Sequence, residues 1–420
     1  MLTIAAFSMG KRMKKFWSQA HWLVGITAGV VLALVGATGG ILSFEDEIQN
    51  WLNRDVRQVE VRDTAPLAPD ALLARIREQR PDARVASLQF SSGPDAAVRA
   101  SLGRQNTLYV DPYSGAIAAG EGTHGRDFFR NVRSLHRWLV AGTFGNRDVG
   151  RHIVGVSTLL CTGLILTGLY LRWPRRAGNW RNWLTFDPAL KGRPFLWHLH
   201  AVIGTWVMAL MLVMTLTGPY WSYTWYRNAM YAVSGVERPA ERRNAQAQER
   251  PAGRGENGPG ESRGEQQRDA APVVLVDAAW RSFGSTVGEF RTATLNLPQK
   301  AADPVEIRYV STASHSRANN TIAIDGQNGS VVRHERYADK TAGGKFMSSV
   351  LAWHSGSVFG VIGKTLFMLA SLAMPAFTIT GWMMYLQRRS REKLLGRRGN
   401  VPAQTSGGAG QVSAQMRNKL

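Results

Sequence analysis

Four histidines occur in two equivalent pairs in this chain, and histidine is a common metal ligand. Two of them open apolar segments in which a glycine follows after four residues and a Thr-Gly pair after seventeen. The residues are His21 with Gly25, Thr38 and Gly39, and His200 with Gly204, Thr217 and Gly218. The chain therefore contains an internal repeat, and each copy carries one of these histidines.

The other two histidines precede two further apolar segments. Each is followed by Phe-Gly, by a basic residue where the segment begins, and by a Thr-Gly pair near its end. The matched residues are His136, Phe144, Gly145, Arg151, Thr167 and Gly168 in the first copy, and His354, Phe359, Gly360, Lys364, Thr380 and Gly381 in the second. The spacings agree from the Phe-Gly onward, so the repeat extends over both pairs of segments.

Two imidazoles that face each other across an axis of symmetry can bind a flat metal cofactor between them. The sequence predicts two non-covalent b haems, one held by His21 and His200 and the other by His136 and His354. The simpler alternative is that these histidines are interfacial residues and that the repeated glycines are helix-packing positions.

Four more residues are weaker candidates. His152 and His198 are reserve ligands, because neither has a histidine at the matching position of the repeat. Arg151 and Lys364 match each other, and two roles are open to them: pairing with haem propionates or anchoring at lipid headgroups.

The segments that must position these residues are long enough to cross a membrane. Residues 22–44, 153–171, 201–226 and 365–387 contain no Asp, Glu, Lys or Arg. A helix needs about 20 apolar residues to span a bilayer core of roughly 30 Å, so four transmembrane helices are predicted. The run 22–44 is longer than the apolar part of a signal peptide and is interpreted as a retained anchor.

The basic residues predict the orientation. The short segments before 22, between 172 and 200, and after 387 together hold 18 Lys and Arg and two acids, out of 51 basic and 30 acidic residues in the chain. Under the positive-inside rule both termini are cytoplasmic and the two long loops are periplasmic. The net charge of +21 is thus attributed to topology and to contact with anionic lipid, and no nucleic-acid partner is predicted.

Each long loop contains one helix-like stretch and several alternating strand-like runs. The predicted fold is an α-helical membrane protein: a four-transmembrane-helix bundle from a parallel internal duplication, with two small periplasmic α+β modules. A segment at 238–272 is rich in Arg, Glu, Gln, Gly and Pro and is predicted to be a disordered linker. The predicted order is a cytoplasmic N-terminus (1–21), TM1 (22–44), module 1 with a helix before TM2 (45–151), TM2 (152–171), a cytoplasmic loop (172–195), TM3 (196–226), module 2 (227–364), TM4 (365–387) and a cytoplasmic tail (388–420).

Several classes of site are excluded by composition. The chain has one cysteine, Cys161, so it cannot form an internal disulfide, a cysteine-based zinc site or an iron–sulfur cluster. Hydrolase, P-loop and dinucleotide-binding motifs are missing from the sequence.

Several short motifs resemble those of the PepSY-associated transmembrane proteins. They are HWLVG at 21–25, LHRWL at 135–139, TGLYLRWPR at 167–175 and WHSGSVFG at 353–360, and the turns VDPYSG at 110–115 and IDGQNG at 324–329 are similar to those of PepSY modules. The resemblance covers residues 17 to about 389. It implies an iron-regulated protein of the bacterial inner membrane, or a ferric-siderophore reductase with two b haems.

For this chain the resemblance implies that His21 pairs with His200 and His136 with His354. The function expected is electron transfer to a ferric siderophore or another ferric chelate in the periplasm. The electrons would come from a separate donor, either a cytoplasmic reductase or quinol. The chain would be an oxidoreductase that releases Fe(II) in iron uptake. The alternative is a non-catalytic, membrane-anchored PepSY protein that binds or regulates a partner.

The charge asymmetry generates a topology prediction. A reporter fused after Leu420 should be active in the cytoplasm, and one inserted near Gly255 should be active in the periplasm, because basic residues are retained on the cytoplasmic side. Paired alkaline-phosphatase and green-fluorescent-protein fusions measure this. The reverse pattern would invert the orientation.

Overall fold

A computed structural model describes residues 2–103, 106–139, 146–173, 178, 180–238, 276–298, 300 and 303–399. Nearly all of the predicted linker 238–272, the Phe144-Gly145 pair and most of the C-terminal tail lie outside these residues. The described part consists of a helical bundle and a separate antiparallel sheet domain.

Long apolar helices build the bundle. By length and composition, 147–172, 193–222 and 357–390 are each able to cross a membrane, and 12–27 and 29–42 pass the same test together as a bent pair. The helices are α1 (Leu2–Thr27), α2 (Gly29–Leu42), α7 (Arg147–Arg172), α9 (Arg193–Thr217) and α15 (Gly360–Gly399). Helix α15 packs on α2 and α9, and α7 packs on α9 and α1, so the helices surround a common centre.

The first predicted span is bent rather than straight. Helices α1 and α2 meet at an angle of 59° at Ala28, although 22–44 was expected to form one continuous helix. The hydroxyl of Thr27 donates to the Leu23 carbonyl at 2.9 Å, and Thr378 of α15 donates to the Gly29 carbonyl at 2.9 Å. Hydroxyl groups that bond helix carbonyls favour bending, and the neighbouring glycine lowers its cost.

The other spans also differ from the predicted boundaries. The segment expected at 196–226 begins at Arg193, and helix α9 ends at Thr217 because Pro219 and then an extended backbone at Tyr223 interrupt it. The segment expected at 365–387 lies within a helix of 40 residues, and the one expected at 152–171 begins five residues earlier, at Arg147. Charged residues extend these helices beyond their apolar parts, and hydropathy does not register such ends.

Short helices border the bundle. They are α3 (Glu45–Leu52), α4 (Arg54–Arg57), α6 (Arg126–Trp138), α8 (Arg181–Leu184), α10 (Pro219–Ser222), α11 (Thr224–Ser234), α13 (Ala342–Ser348) and α14 (Val350–His354). Helix α6 packs on α2 and α7, and α14 packs on α9. These two helices therefore bring residues from outside the spans to the end of the bundle.

The two long loops form one sheet and not two separate modules. The strands are β1 (Ser87–Ser91), β2 (Val98–Ser101), β3 (Thr107–Val110), β4 (Thr292–Asn296), β5 (Val305–Val310), β6 (Asn319–Ile324) and β7 (Val331–Glu335). Their order is β3-β2-β1-β4-β5-β6-β7, with every neighbouring pair antiparallel. The strand β1 from the first loop pairs with β4 from the second, which removes two exposed strand edges.

Two helices cover one face of this sheet. Helix α5 (Pro69–Gln79) contributes Leu72 and Ile76, and α12 (Asp277–Val287) contributes Phe283, all of them fully buried. Leu73 and Phe90 contact both clusters of buried residues, so the two halves share a continuous apolar core.

Reciprocal hydrogen bonds join the N-termini of α5 and α12: an aspartate at the start of each helix accepts from a backbone N–H of the other. The backbone N–H of Asp70 donates to Oδ1 of Asp277 at 2.9 Å, and the backbone N–H of Asp277 donates to Oδ2 of Asp70 at 3.0 Å. Each carboxylate thus satisfies orphan N–H groups of the other half's helix. Burial and the negative charge of Asp70 raise the pKa of Asp277 above its usual value.

The substitution Asp277→Asn should stabilise the sheet domain at neutral pH. A raised pKa means that the folded state disfavours the ionised carboxylate, so its contribution to stability is largest at low pH and is lost as pH rises. Asparagine retains an acceptor oxygen for the Asp70 N–H and removes the repulsion between the two carboxylates. The free energy of unfolding of the sheet domain should therefore rise by a few tenths to about 1 kcal/mol at pH 7. This increase should vanish near pH 4.

Hydrogen-exchange protection of β1 and β4 peptides in the full chain, corrected for intrinsic rates, measures this difference. The comparison variant is Asp70→Asn, which loses one of two acceptor oxygens that bond Val276 and Asp277. Lower protection in Asp277→Asn at pH 7 would show that the two carboxylates do not repel.

Candidate functional site: two histidine pairs

The first histidine pair lies at the bundle end away from the sheet. His21 extends from α1 and His200 from α9, and their ring centroids are 6.4 Å apart with an angle of 74° between the rings. The two residues are 179 positions apart in the chain and meet because α1 and α9 both pack against α7 and α15. We call His21 and His200 the far-side pair.

The second pair lies beneath the sheet domain. His136 is on α6 and His354 is the last residue of α14, and their ring centroids are also 6.4 Å apart, at an angle of 66°. We call His136 and His354 the sheet-side pair. The structure therefore brings together the residues that the repeat matches, and in both cases the two histidines come from different halves of the chain.

A threonine of the repeated Thr-Gly motif holds each imidazole. The distances from Nδ1 to Oγ1 are 2.8 Å for His21–Thr167, 2.8 Å for His200–Thr380, 3.2 Å for His136–Thr38 and 2.9 Å for His354–Thr217. Each histidine and its threonine belong to the same half. Sequence reasoning used these threonines only to establish the register of the repeat and did not assign them this contact.

The threonines also determine which ring nitrogen is protonated. Each hydroxyl donates its hydrogen to the carbonyl four residues earlier in its helix, at 2.7 to 2.8 Å. The threonine oxygen can then only accept, so each Nδ1 carries the hydrogen and donates it. This tautomer leaves Nε2 unprotonated, which is the form of the nitrogen that binds a metal ion.

The glycine after each threonine provides room for the ring. A Cβ at Gly39 would lie 3.2 Å from Cε1 of His136, and one at Gly168 would lie 3.3 Å from Cε1 of His21. At Gly218 the distance to Cε1 of His354 is 3.6 Å, whereas Gly381 has no atom within 4 Å of this position. Three of the four motifs thus place a helix backbone close to a histidine ring.

A cavity surrounds each pair. The far-side cavity measures about 590 Å³ and is lined by His21, His200, Gly25 and Gly204, among others. The sheet-side cavity measures about 500 Å³ and contains His136 and His354. Both volumes lie within the range of about 300–1,000 Å³ that cofactor sites occupy.

A thin apolar partition separates the two cavities. Leu32, Met211 and Met374 line both of them. Along α9, His200 and Thr217 are 17 residues apart, which corresponds to about 25 Å at 1.5 Å per residue. This separation is close to the thickness of a bilayer core, which is about 30 Å.

Basic side chains line both cavities. The sheet-side cavity contains five, which are Arg133, Arg137, Arg151, Arg317 and Lys364, and two acids, Glu45 and Asp46. The far-side cavity contains Arg172, Arg193, Arg388 and Arg389. Arg151 and Lys364, the matched candidates for propionate binding, both line the sheet-side cavity, and Nε of Arg151 is buried without a hydrogen-bond partner.

Burial keeps the sheet-side imidazoles neutral. It lowers the pKa of His136, and burial together with the neighbouring His136 lowers the pKa of His354 to about 4. Both rings are therefore unprotonated on one nitrogen at pH 7. Burial and the positive charges of Arg133 and Arg151 lower the pKa of Arg137, which borders the same cavity.

The reserve candidates lie outside both cavities. His152 is exposed and its ring lies 5.6 Å from that of Tyr223, while His198 stacks on Phe186 at 5.8 Å. Within the described residues, no group of three or more His, Cys, Asp and Glu side chains is arranged to bind a metal ion. The histidine pairs are not such groups, because each of them offers only two ligands.

Two histidines of the sheet domain are half-buried and hydrogen-bonded. Nε2 of His315 lies 3.2 Å from the Tyr337 hydroxyl, and Nε2 of His334 lies 2.7 Å from the Tyr309 hydroxyl. Burial is the main cause that lowers the pKa of both residues.

The Thr-Gly motifs allow a matched test of this packing. Gly39→Ala should destabilise the protein, because the new methyl group would lie 2.8 Å from Oγ of Ser371 as well as close to His136. The expected loss is about 1–3 kcal/mol, as for other overpacked sites. Gly381→Ala, in the Thr-Gly motif whose glycine faces open space, should change stability little. Thermal unfolding in detergent compares the two, and equal midpoints would contradict this account.

Comparison with known proteins agrees with this architecture. No curated protein matches the chain. The model of the PepSY-associated TM region matches residues 18–388, which include all four paired histidines and the sheet domain. Together with the apolar helices, this match identifies a membrane-associated protein. The chain belongs to the PepSY-associated transmembrane family.

Proposed function

We propose that this protein is a di-haem b electron conduit that reduces ferric siderophores or other ferric chelates in the periplasm, and so releases Fe(II) for uptake. The observation that carries the proposal is the matched geometry of the two histidine pairs. All four imidazoles have a threonine hydroxyl within hydrogen-bond distance of Nδ1, with the Val35 carbonyl as a second partner for His136, and both pairs have the same centroid separation of 6.4 Å.

That separation fits one metal ion between two imidazoles. An imidazole nitrogen binds a metal at about 2 Å, and the ring centroid lies about 1.2 Å beyond the nitrogen. Two rings on opposite sides of one ion therefore have centroids about 6.4 Å apart. The observed spacing is therefore compatible with one metal ion between the rings of each pair, although rings in edge contact without a metal reach the same distance, as those of Trp382 and Tyr385 do.

The cavities suit the rest of the cofactor. Apolar walls match a porphyrin ring, and the basic side chains that border each cavity would pair with propionates. The far-side group (Arg172, Arg193, Arg388 and Arg389) would serve the haem of the far-side pair, and Arg151 with Lys364 that of the sheet-side pair. A bound b haem supplies one-electron transfer, since its iron alternates between ferric and ferrous states.

The chain's own residues then have defined roles. The four histidines would hold the iron through Nε2, and the threonines would orient the rings and increase the basicity of the ligands through Nδ1. Leu32, Met211 and Met374, which line both cavities, would limit water between the two sites. Hard oxygen donors bind ferric iron in a siderophore, and reduction to ferrous iron weakens this binding.

The proposal includes an orientation and an origin for this architecture. The histidine contacts repeat in both halves, which supports a parallel internal duplication of two helices and one PepSY module in each half. The bacterial inner membrane would hold the bundle with both termini in the cytoplasm. A cytoplasmic reductase or quinol would then supply electrons to the far-side pair, and the sheet-side pair would deliver them to the chelate.

The ligand assignment predicts how haem content responds to substitution. His21→Ala and His200→Ala should each remove the same haem, lowering haem content by about half, and the double variant should lose no more, because both residues bind one iron. His136→Ala and His354→Ala should remove the other haem in the same way. Pyridine haemochrome assays and reduced-minus-oxidised spectra of purified protein measure this.

Two further variants serve as controls. His152→Ala and His198→Ala lie outside the cavities and should retain both haems. Loss of one haem in His152→Ala, or grouping of His21 with His136, would overturn the assignment. A folded, colourless protein would favour the alternative, a membrane-anchored PepSY protein that only binds or regulates a partner.

A further inference from the structure

We propose that the mouth of the sheet-side cavity binds the ferric chelate, and that Arg137 and Arg317 select chelates carrying negatively charged carboxylates. The inference rests on the proposed function and adds a substrate class to it. It starts from an imbalance of charge in a cavity that is formed jointly by the bundle and the sheet domain.

Three of the five basic side chains in this cavity are paired with acids. Arg133 pairs with Glu45, Arg151 with Asp148 at 2.9 Å, and Lys364 with Glu47. For Arg137 and Arg317 there is no ion pair with an acid among the residues that the structure describes. Two guanidinium groups thus border the same cavity without an ion pair, and one acid of the same cavity, Asp46, has none either among the described residues.

Arg137 is held at the bundle side of the mouth. It follows His136 on α6, and its guanidinium lies 4.7 Å from the ring centroid of Trp138. Arg147 approaches the same ring at 5.1 Å, so the positive charge at this edge is larger than that of Arg137 alone. A guanidinium above an aromatic ring keeps the N–H donors at its edge available for a carboxylate.

Arg317 lines the same cavity from the sheet domain. It lies in the loop 311–318 between β5 and β6, and its backbone N–H donates to Nδ1 of His315 at 3.3 Å. The other nitrogen of His315 contacts the hydroxyls of Tyr337 at 3.2 Å and Ser349 at 3.4 Å. Ser349 is buried and directly precedes α14, so this network attaches the loop to the helix that carries His354.

The chemistry of the reduction favours cations at this position. Guanidinium groups bind carboxylates through paired, charge-assisted hydrogen bonds. When an Fe(III) chelate accepts one electron it becomes an Fe(II) chelate with one more negative charge, and no atom is transferred. Positive charges beside the chelate therefore favour both its binding and its reduction. A neutral chelate lacks the carboxylates that these arginines would bind.

Propionate groups of a haem would offer the same carboxylate chemistry, so the experiment separates the two sources. Arg137→Gln and Arg317→Gln are compared with Arg308→Gln, which removes an exposed positive charge from β5 outside the cavity. The full chain is purified in detergent and titrated with gallium(III) citrate, a redox-inert anionic chelate, by calorimetry. Reoxidation of the dithionite-reduced protein by ferric citrate and by a neutral ferric trihydroxamate is then followed by stopped flow.

The expected result is a loss of about tenfold in gallium citrate affinity and in the ferric citrate rate constant for each cavity variant, the effect of one charge-assisted contact. The rate constant with the neutral chelate should change by much less than this, the haem content should not change, and Arg308→Gln should behave as wild type.

Three results would overturn the inference: equal losses with both chelates, lost haem in the cavity variants, or no change with either chelate. The second would assign the arginines to propionates. Absence of haem from the wild-type protein would reject the proposed function. The gallium citrate titration would still decide whether the mouth binds an anionic chelate.

Discussion

The threonine–imidazole hydrogen bond is the constraint on which the rest of the bundle depends. A buried neutral imidazole needs a partner for its N–H, and inside an apolar bundle only another side chain or a helix carbonyl is available. Each threonine uses its own hydrogen on its helix and accepts the imidazole hydrogen. The rotation of α2, α7, α9 and α15 about their axes is therefore restricted, because each must direct one threonine toward a histidine.

These bonds act within each half of the chain, whereas the cavities form between the halves. Thr38 and Thr167 hold the histidines of the first half, and each of those rings then faces a ring of the second. The sheet domain is joined across the halves in the same manner, through the β1–β4 pairing and the reciprocal carboxylates of Asp70 and Asp277. Docking of the two halves is thus a requirement for the site and not only for stability.

The sequence predicted the parts of this structure that local patterns and the repeat encode. Apolar runs indicated the spans, alternation indicated the strands, and equal spacing after His21 and His200 indicated that these residues would meet. The bend at Ala28 depends on Thr378, 350 residues away, and the single sheet depends on β1 meeting β4 about 200 residues later. No local pattern contains such contacts. Arg317 was missed for the same reason, since it lies in a polar loop whose position follows from the sheet.

The composition between the two histidine levels favours electron transfer over ion transport. The four apolar segments contain no Asp, Glu, Lys, Arg or His, so a chain of titratable groups of the kind that proton and ion pathways use is not present in them. Polar side chains in these segments form hydrogen bonds with the backbone of a neighbouring helix: Ser371 donates to the Gly36 carbonyl and Thr378 to the Gly29 carbonyl. In the proposed function an electron needs only a short apolar separation between its donor and acceptor, and Leu32, Met211 and Met374, which line both cavities, would provide it. Basic side chains line both cavities, where the proposed cofactor carboxylates and chelate would bind, whereas the four apolar segments contain no charged residue.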